Sequence, residues 1–222
     1  MMCHPRKGWA PCLASALAGF SEGTQPWPSP LHSPLRVPPM RHLACLVLLA
    51  LPAIGRADDF QPEPGFELIF NGKDLTGWKT KAAKDKPSEP LDGKSEAFGG
   101  RFKVREGELV LDPKVKGDVV IETTREFAKD VTIRFEFKPG KGCNNDLFFR
   151  GQKFDIKTPD VKNLKEDEWN TFEIAIKAAK VEFKTNGDVM RSATTKVEKS
   201  VLGIRAEAGP VVIRRLRAQS SN

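Results

Sequence analysis

Residues 131–138 read VTIRFEFK, and the fold is decided by how this stretch alternates. Val131, Ile133, Phe135 and Phe137 fall on one face, and Thr132, Arg134, Glu136 and Lys138 on the other. A strict period of two with one wet face predicts a half-buried strand of an antiparallel sheet. Residues 171–177, TFEIAIK, repeat the pattern with Phe172, Ile174 and Ile176 inward. No segment holds a helical period for more than two turns. Phe66–Phe70 and Val211–Leu216 read as further strands, the latter with a bulge because Ile213 and Leu216 are three apart.

Three two-residue turns suggest how strands pair. Glu106-Gly107 joins Phe102–Arg105 to Glu108–Leu111. Asn186-Gly187 suits a type I′ turn and would set Phe183 opposite Met190 and Glu182 opposite Arg191. In Gly142–Lys157, GCNNDLFFRGQKFDIK, Gly151-Gln152 reads as a type II′ turn. That register sets Arg150 opposite Lys153, Phe148 opposite Asp155 and Asp146 opposite Lys157. Many short strands with frequent turn signals predict an all-β, antiparallel β-sandwich. Residues 79–97, rich in lysine and proline, read as a long surface loop.

Composition limits the chemistry. Residues 40–57, MRHLACLVLLALPAIGRA, have the basic start, short apolar run and small-residue end of a signal peptide, with cleavage expected after Ala57. The apolar run is too short to span a bilayer. Residues 1–39 hold six prolines between Pro26 and Pro39 and no apolar period, so no packed element is expected there. Translation is expected to begin at Met40, leaving 1–39 as a gene-start artefact. The mature chain is read as residues 58–222, one exported domain, periplasmic or extracellular, with no transmembrane span after cleavage. All three histidines lie before residue 58, Cys143 is the one later cysteine, and there is no tyrosine. Disulfide frameworks, His/Cys zinc sites and histidine-dependent nucleophile systems are thereby excluded from residues 58–222. Net charge falls from +7 for the whole chain to +3 for 58–222. No basic block forms, which argues against nucleic-acid binding.

The 142–157 hairpin carries the candidate chemistry. Its core face is Leu147, Phe149, Phe154 and Ile156. Its other face presents Asp146, Phe148, Arg150, Lys153, Asp155 and Lys157, with Asn144 and Asn145 at the strand's start. One reading is a solvated face of cross-strand ion pairs. The other is a ligand site, with Arg150 on a polarised oxygen, Asp155 taking a proton and Phe148 under the apolar face of a sugar. Two carboxylates flanking a bond suit general acid–base cleavage, and Glu136 and Glu173 point outward and would join them if their strands lie near. Trp78 is read as structural, Trp169 as core and Cys143 as an incidental thiol. No calcium-loop signature is present. No cofactor or metal is expected, with a lone structural cation left open.

FELIFNGKDLTGW (66–78), GDVVIETTREFAKDVTIRFEFK (117–138), NNDLFFRG (144–151), EWNTFEIAI (168–176) and GPVVIRRLR (209–217) occur in an order that resembles the 3-keto-disaccharide hydrolase domain family. The resemblance implies a concanavalin-like jelly roll, a carbohydrate ligand, and cleavage of a 3-keto-glycosidic bond by hydrolysis or by elimination and hydration. The alternative is a non-catalytic carbohydrate-binding module of the same fold; a third reading is a scaffold or adhesion domain. The economical assignment is Asp155 as base, with Arg150 or Lys153 on the enolate oxygen, and Asn144, Asn145, Asp146 and Phe148 as substrate contacts. The chain departs from the family's usual pattern at Asn144-Asn145-Asp146 and at Lys153 and Asp155, where the family's glutamate and glutamine would stand.

Overall fold

In the computed structural model the described residues are 60–157 and 161–221, all within the unit Leu51–Asn222. The expected signal segment and the residues before it lie outside them. The described residues form sixteen strands, beginning with β1 (Glu67–Leu68), β2 (Trp78–Thr80), β3 (Glu96–Ala97), β4 (Phe102–Arg105) and β5 (Glu108–Leu111). Next come β6 (Val119–Thr123), β7 (Phe127–Ala128), β8 (Val131–Pro139), β9 (Asn144–Phe149) and β10 (Gln152–Lys157). The last six are β11 (Asn170–Lys177), β12 (Lys180–Thr185), β13 (Asp188–Thr194), β14 (Lys199–Ser200), β15 (Gly203–Ala208) and β16 (Val211–Ser220).

Nine strands make one sheet in the order β13-β12-β11-β8-β16-β5-β4-β3, with β1 also paired to β16. Five make the second, β10-β9-β15-β6-β2, and β14 pairs with β7. Neighbours are antiparallel. The molecule is an all-β sandwich of the concanavalin-like jelly-roll type. Val131, Ile133, Phe135 and Phe137 are buried together, as their alternation requires. Phe154 of the five-stranded sheet stacks on Phe183 at 4.9 Å and meets Phe172 edge-on at 4.7 Å, both in the nine-stranded sheet. This aromatic junction joins the two layers directly beneath the hairpin. Trp78 is fully buried, its indole donating to the Ile69 carbonyl at 3.0 Å.

Several expectations change in detail. The Asn186-Gly187 hairpin forms, but a bulge after Phe183 pairs Phe183 with Arg191 and Glu182 with Ser192. The bulge expected in the last strand is present, between Arg214 and Arg217 of β16, where Arg215 takes φ +55°. Only Glu67–Leu68 of the 66–70 segment pairs as a strand. Trp169 is half-buried rather than core, with the Arg214 guanidinium stacked 3.7 Å from its ring centroid. Among the described residues no helix is long and apolar enough to cross a membrane.

Candidate active site

The hairpin of β9 and β10 turns at Arg150-Gly151, not at Gly151-Gln152. Arg150 takes φ +51° and Gly151 φ +71°, the two positive angles of a type I′ turn. A left-handed arginine is unfavourable by itself, and tertiary contacts hold it. Its backbone N–H donates to Ser200 Oγ at 2.9 Å and its carbonyl accepts from Thr195 Oγ1 at 2.7 Å. Its guanidinium, buried with the rest of the side chain, donates to the carbonyls of Val197 (2.8 Å) and Lys129 (2.7 Å). Arg150 is therefore a fastener of the turn and not a substrate contact.

The new turn keeps the side chains of β9 and β10 on their expected faces and shifts the partners by two, while Arg150, expected on the wet face, is buried. Asp155 now lies directly opposite Asp146, Lys153 opposite Phe148 and Lys157 opposite Asn144. Asp146 has a fully buried side chain, while those of Lys153 and Asp155 are about half exposed. The Lys153 ammonium sits 2.7 Å from Asp155 Oδ1 and 3.3 Å from Asp146 Oδ1. Behind Asp146 stands Arg205 of β15, whose Nη1 donates to Asp146 Oδ2 at 2.7 Å. Arg205 also bonds both oxygens of Asp118, through Nε at 2.6 Å and through Nη2, and its Nη1 is 3.0 Å from Glu207. The result is a chain of alternating charge, Asp118–Arg205–Asp146–Lys153–Asp155, across the outer face of the five-stranded sheet.

Environment splits the two facing aspartates. Burial raises Asp146 above the ordinary carboxylate range, against the pull of Arg205 and Lys153. The hydrogen bond from Lys153 lowers Asp155 below it, and the same contact raises the Lys153 ammonium. Facing carboxyls pushed apart in this way are the usual source of distinct acid and base roles. Asn144, Lys153, Asp155, Arg205 and Glu207 line an open cleft of about 630 Å³, with Val189 and Met190 of β13 on its far side.

Other expected contacts do not assemble there. Asn145 is buried, donating to the Ala208 carbonyl at 2.9 Å and accepting from the Glu207 N–H at 2.9 Å. It ties β9 to β15 at the point where Gly209 passes over Gly142, since a Cβ on Gly209 would stand 2.4 Å from the Gly142 oxygen. Phe148 does lie on the outer face, but its ring rests against Gly203 and carries the Lys81 ammonium 5.2 Å from its centroid. Glu136 and Glu173 belong to the nine-stranded sheet. The first is held by Arg214 and Arg215, the second by Arg134 and Lys184. The Cys143 thiol is buried and pushed up to about 11 by desolvation, the environment of a structural rather than a reactive cysteine. Among the described residues no cluster of three or more His, Cys, Asp or Glu side chains is placed to hold a metal ion. Arg205, Glu207 and Asp118 were missed; the alternation in GIRAEA (203–208) marks a strand with Arg205 and Glu207 on one face, but nothing local says which strands flank it.

Comparison with known proteins places this arrangement in context. No curated protein matches the sequence. A candidate glycosyl hydrolase from Parabacteroides distasonis is similar in structure, with TM-score 0.55 and 17% identity over 71% of this chain and 94% of that one. A second candidate glycosyl hydrolase from the same organism gives TM-score 0.46 and 15% identity, covering 60% and 98%. Carbohydrate-binding module CBM66 from Bacillus subtilis gives 0.42 and 13%, covering 66% and 97%. The first of these likenesses supports the sandwich fold. The model of the 3-keto-alpha-glucoside-1,2-lyase-like domain matches residues 65–163, the segment that contains the hairpin, and describes the family that the motifs resemble.

Proposed function

We propose that this chain cleaves 3-keto-glycosides by elimination across C1–C2, with water adding afterwards. The observation that carries the reading is the position of Asp155, on an open cleft and 2.7 Å from the Lys153 ammonium, within the segment matching the lyase-like family. A ketone at C3 acidifies the C2 proton. Asp155 takes that proton, the C2 electrons move toward the C3 oxygen, and the enolate so formed gathers charge beside Lys153. Lys153 has three donors, of which two face Asp155 and Asp146. As the C1–O bond breaks, C1=C2 forms, the C3 carbonyl returns, and the departing oxygen takes a proton from Asp155 or water. Water adding across C1=C2 completes a net hydrolysis. Buried Asp146, held by Arg205, fixes Lys153 from behind and does not touch substrate.

The test is turnover of methyl 3-keto-α-glucoside by the full chain, followed by NMR. Wild type should release methanol and Asp155→Asn should be slower by about a hundredfold or more, the usual contribution of a positioned base. Equal rates in the two proteins would remove Asp155 from the mechanism. One observation favours a carbohydrate-binding role without cleavage: the ion pair that lowers Asp155 also makes it a weaker base. Saturable binding without product would select that reading.

A further inference from the structure

The cleft at the hairpin is bounded by β10, the edge of the five-stranded sheet, and by β13, the edge of the nine-stranded one. Among the described residues its lining is unequal in charge. Lys153, Lys157, Lys162, Arg191 and Arg205 are set against Asp155 and Glu207. The inequality also has a place. On the β15 side Arg205 is matched by Asp118, Asp146 and Glu207. At the hairpin Lys153 is matched by Asp155 and Asp146. The β13 side has no such match among the described residues.

Arg191 makes the difference. It crosses between the sheet edges, Nη1 donating to the Lys153 carbonyl at 2.5 Å and Nη2 to Gln152 Oε1 at 2.9 Å. Its guanidinium carbon lies 5.9 Å from the Phe183 ring centroid. All three partners are neutral, so the positive charge is left without a described carboxylate. Asp188, the sole carboxylate of β13, is bonded to the Asn163 amide instead. An arginine has further N–H donors beyond the two used here, and a side chain already held in place loses little freedom on binding. Lys162, exposed in the same lining, adds a second positive charge. A cleft walled by one sign of charge attracts the other, and a guanidinium suits the flat, two-oxygen edge of a carboxylate. Because Arg191 is seated on Lys153, the order Asp155, Lys153, Arg191 runs one way across the cleft. A sugar with C2 at Asp155 and its C3 oxygen at Lys153 turns C5, which lies across the ring from C2, toward Arg191.

We infer that the substrate of this cleft is anionic, a 3-keto-glycuronide whose C5 carboxylate is held by Arg191 with Lys162 beside it. The inference rests on the cleavage reading of the cleft. The test compares kcat/KM of the full chain for methyl 3-keto-α-glucuronide, for its uncharged amide of nearly the same shape, and for methyl 3-keto-α-glucoside. The glucuronide should exceed the amide by about tenfold, the order of one hydrogen bond to a charged group, and added salt should shrink that ratio. Arg191→Gln should remove the preference, and Arg191→Lys should restore part of it. The ratio is taken within each protein, so a general loss of folding or activity cancels from it. Turnover of the glucuronide alone supports both readings. If the wild type turns over all three probes alike, or Arg191→Gln keeps the ratio, the anionic substrate is overturned and the cleavage reading stands. If no probe is turned over, the cleavage reading falls and this inference with it.

Discussion

Burial holds the carboxyl of Asp146 above the usual aspartate range, while Lys153 at 2.7 Å holds Asp155 below it. The sign of this split can be read in kinetics. A base works deprotonated, so activity is present above its pKa and lost as pH falls through it. With Asp155 as base, the acid limb of kcat/KM should lie below the ordinary aspartate value of about 3.9. In Lys153→Met the lowering partner is gone and the limb should move up. An acid limb well above 4 in the wild type would point to Asp146 instead. Arg150 gives the opposite lesson at the same scale. Arg150→Ala removes a buried side chain and its hydrogen bonds to the carbonyls of Val197 and Lys129 and should cost about 2 kcal/mol of stability, read by denaturant unfolding. The kcat of the folded fraction should stay within about threefold of wild type, since a residue that touches no substrate contributes nothing to transition-state binding.

At the scale of elements, faces were legible and partners were not. Alternation assigned the inner and outer sides of β8–β11 correctly, because the side-chain period depends only on local backbone. The hairpin's turn was misread because glycine is the conspicuous turn residue, and it was placed first rather than second. What moves the turn is a set of contacts to Arg150 from Lys129, Thr195, Val197 and Ser200, which pattern reading cannot supply. The consequence is chemical, since the shift exchanges an Asp146–Lys157 pair for facing aspartates. Arg205 stayed out of sight for the same reason: β15 enters the sheet between β9 and β6, and Arg205 lies 59 residues along the chain from Asp146. The junction below the hairpin is testable here. Phe154→Ala removes the ring that meets Phe172 and Phe183 across the layers and should cost about 3 kcal/mol or more. A loss under about 1 kcal/mol would mean that this stack does not secure β10, and with it Asp155.

For the whole molecule, the sandwich supplies the floor, and the outer face of the five-stranded sheet carries the proposed chemistry. The family match covers residues 65–163, whereas Arg205 and Glu207, which complete the cleft, come from beyond it. A shared fold does not carry a shared reaction, so the account stands or falls on one proton. The direct measurement is exchange at C2 of methyl 3-keto-α-glucoside in D₂O, followed by ¹H NMR with wild type and with Asp155→Asn. The account predicts loss of the C2 proton signal, by exchange or with elimination, at a rate the wild type raises far above the buffer and the variant does not. Equal rates in both proteins, or none above buffer in the wild type, would contradict it.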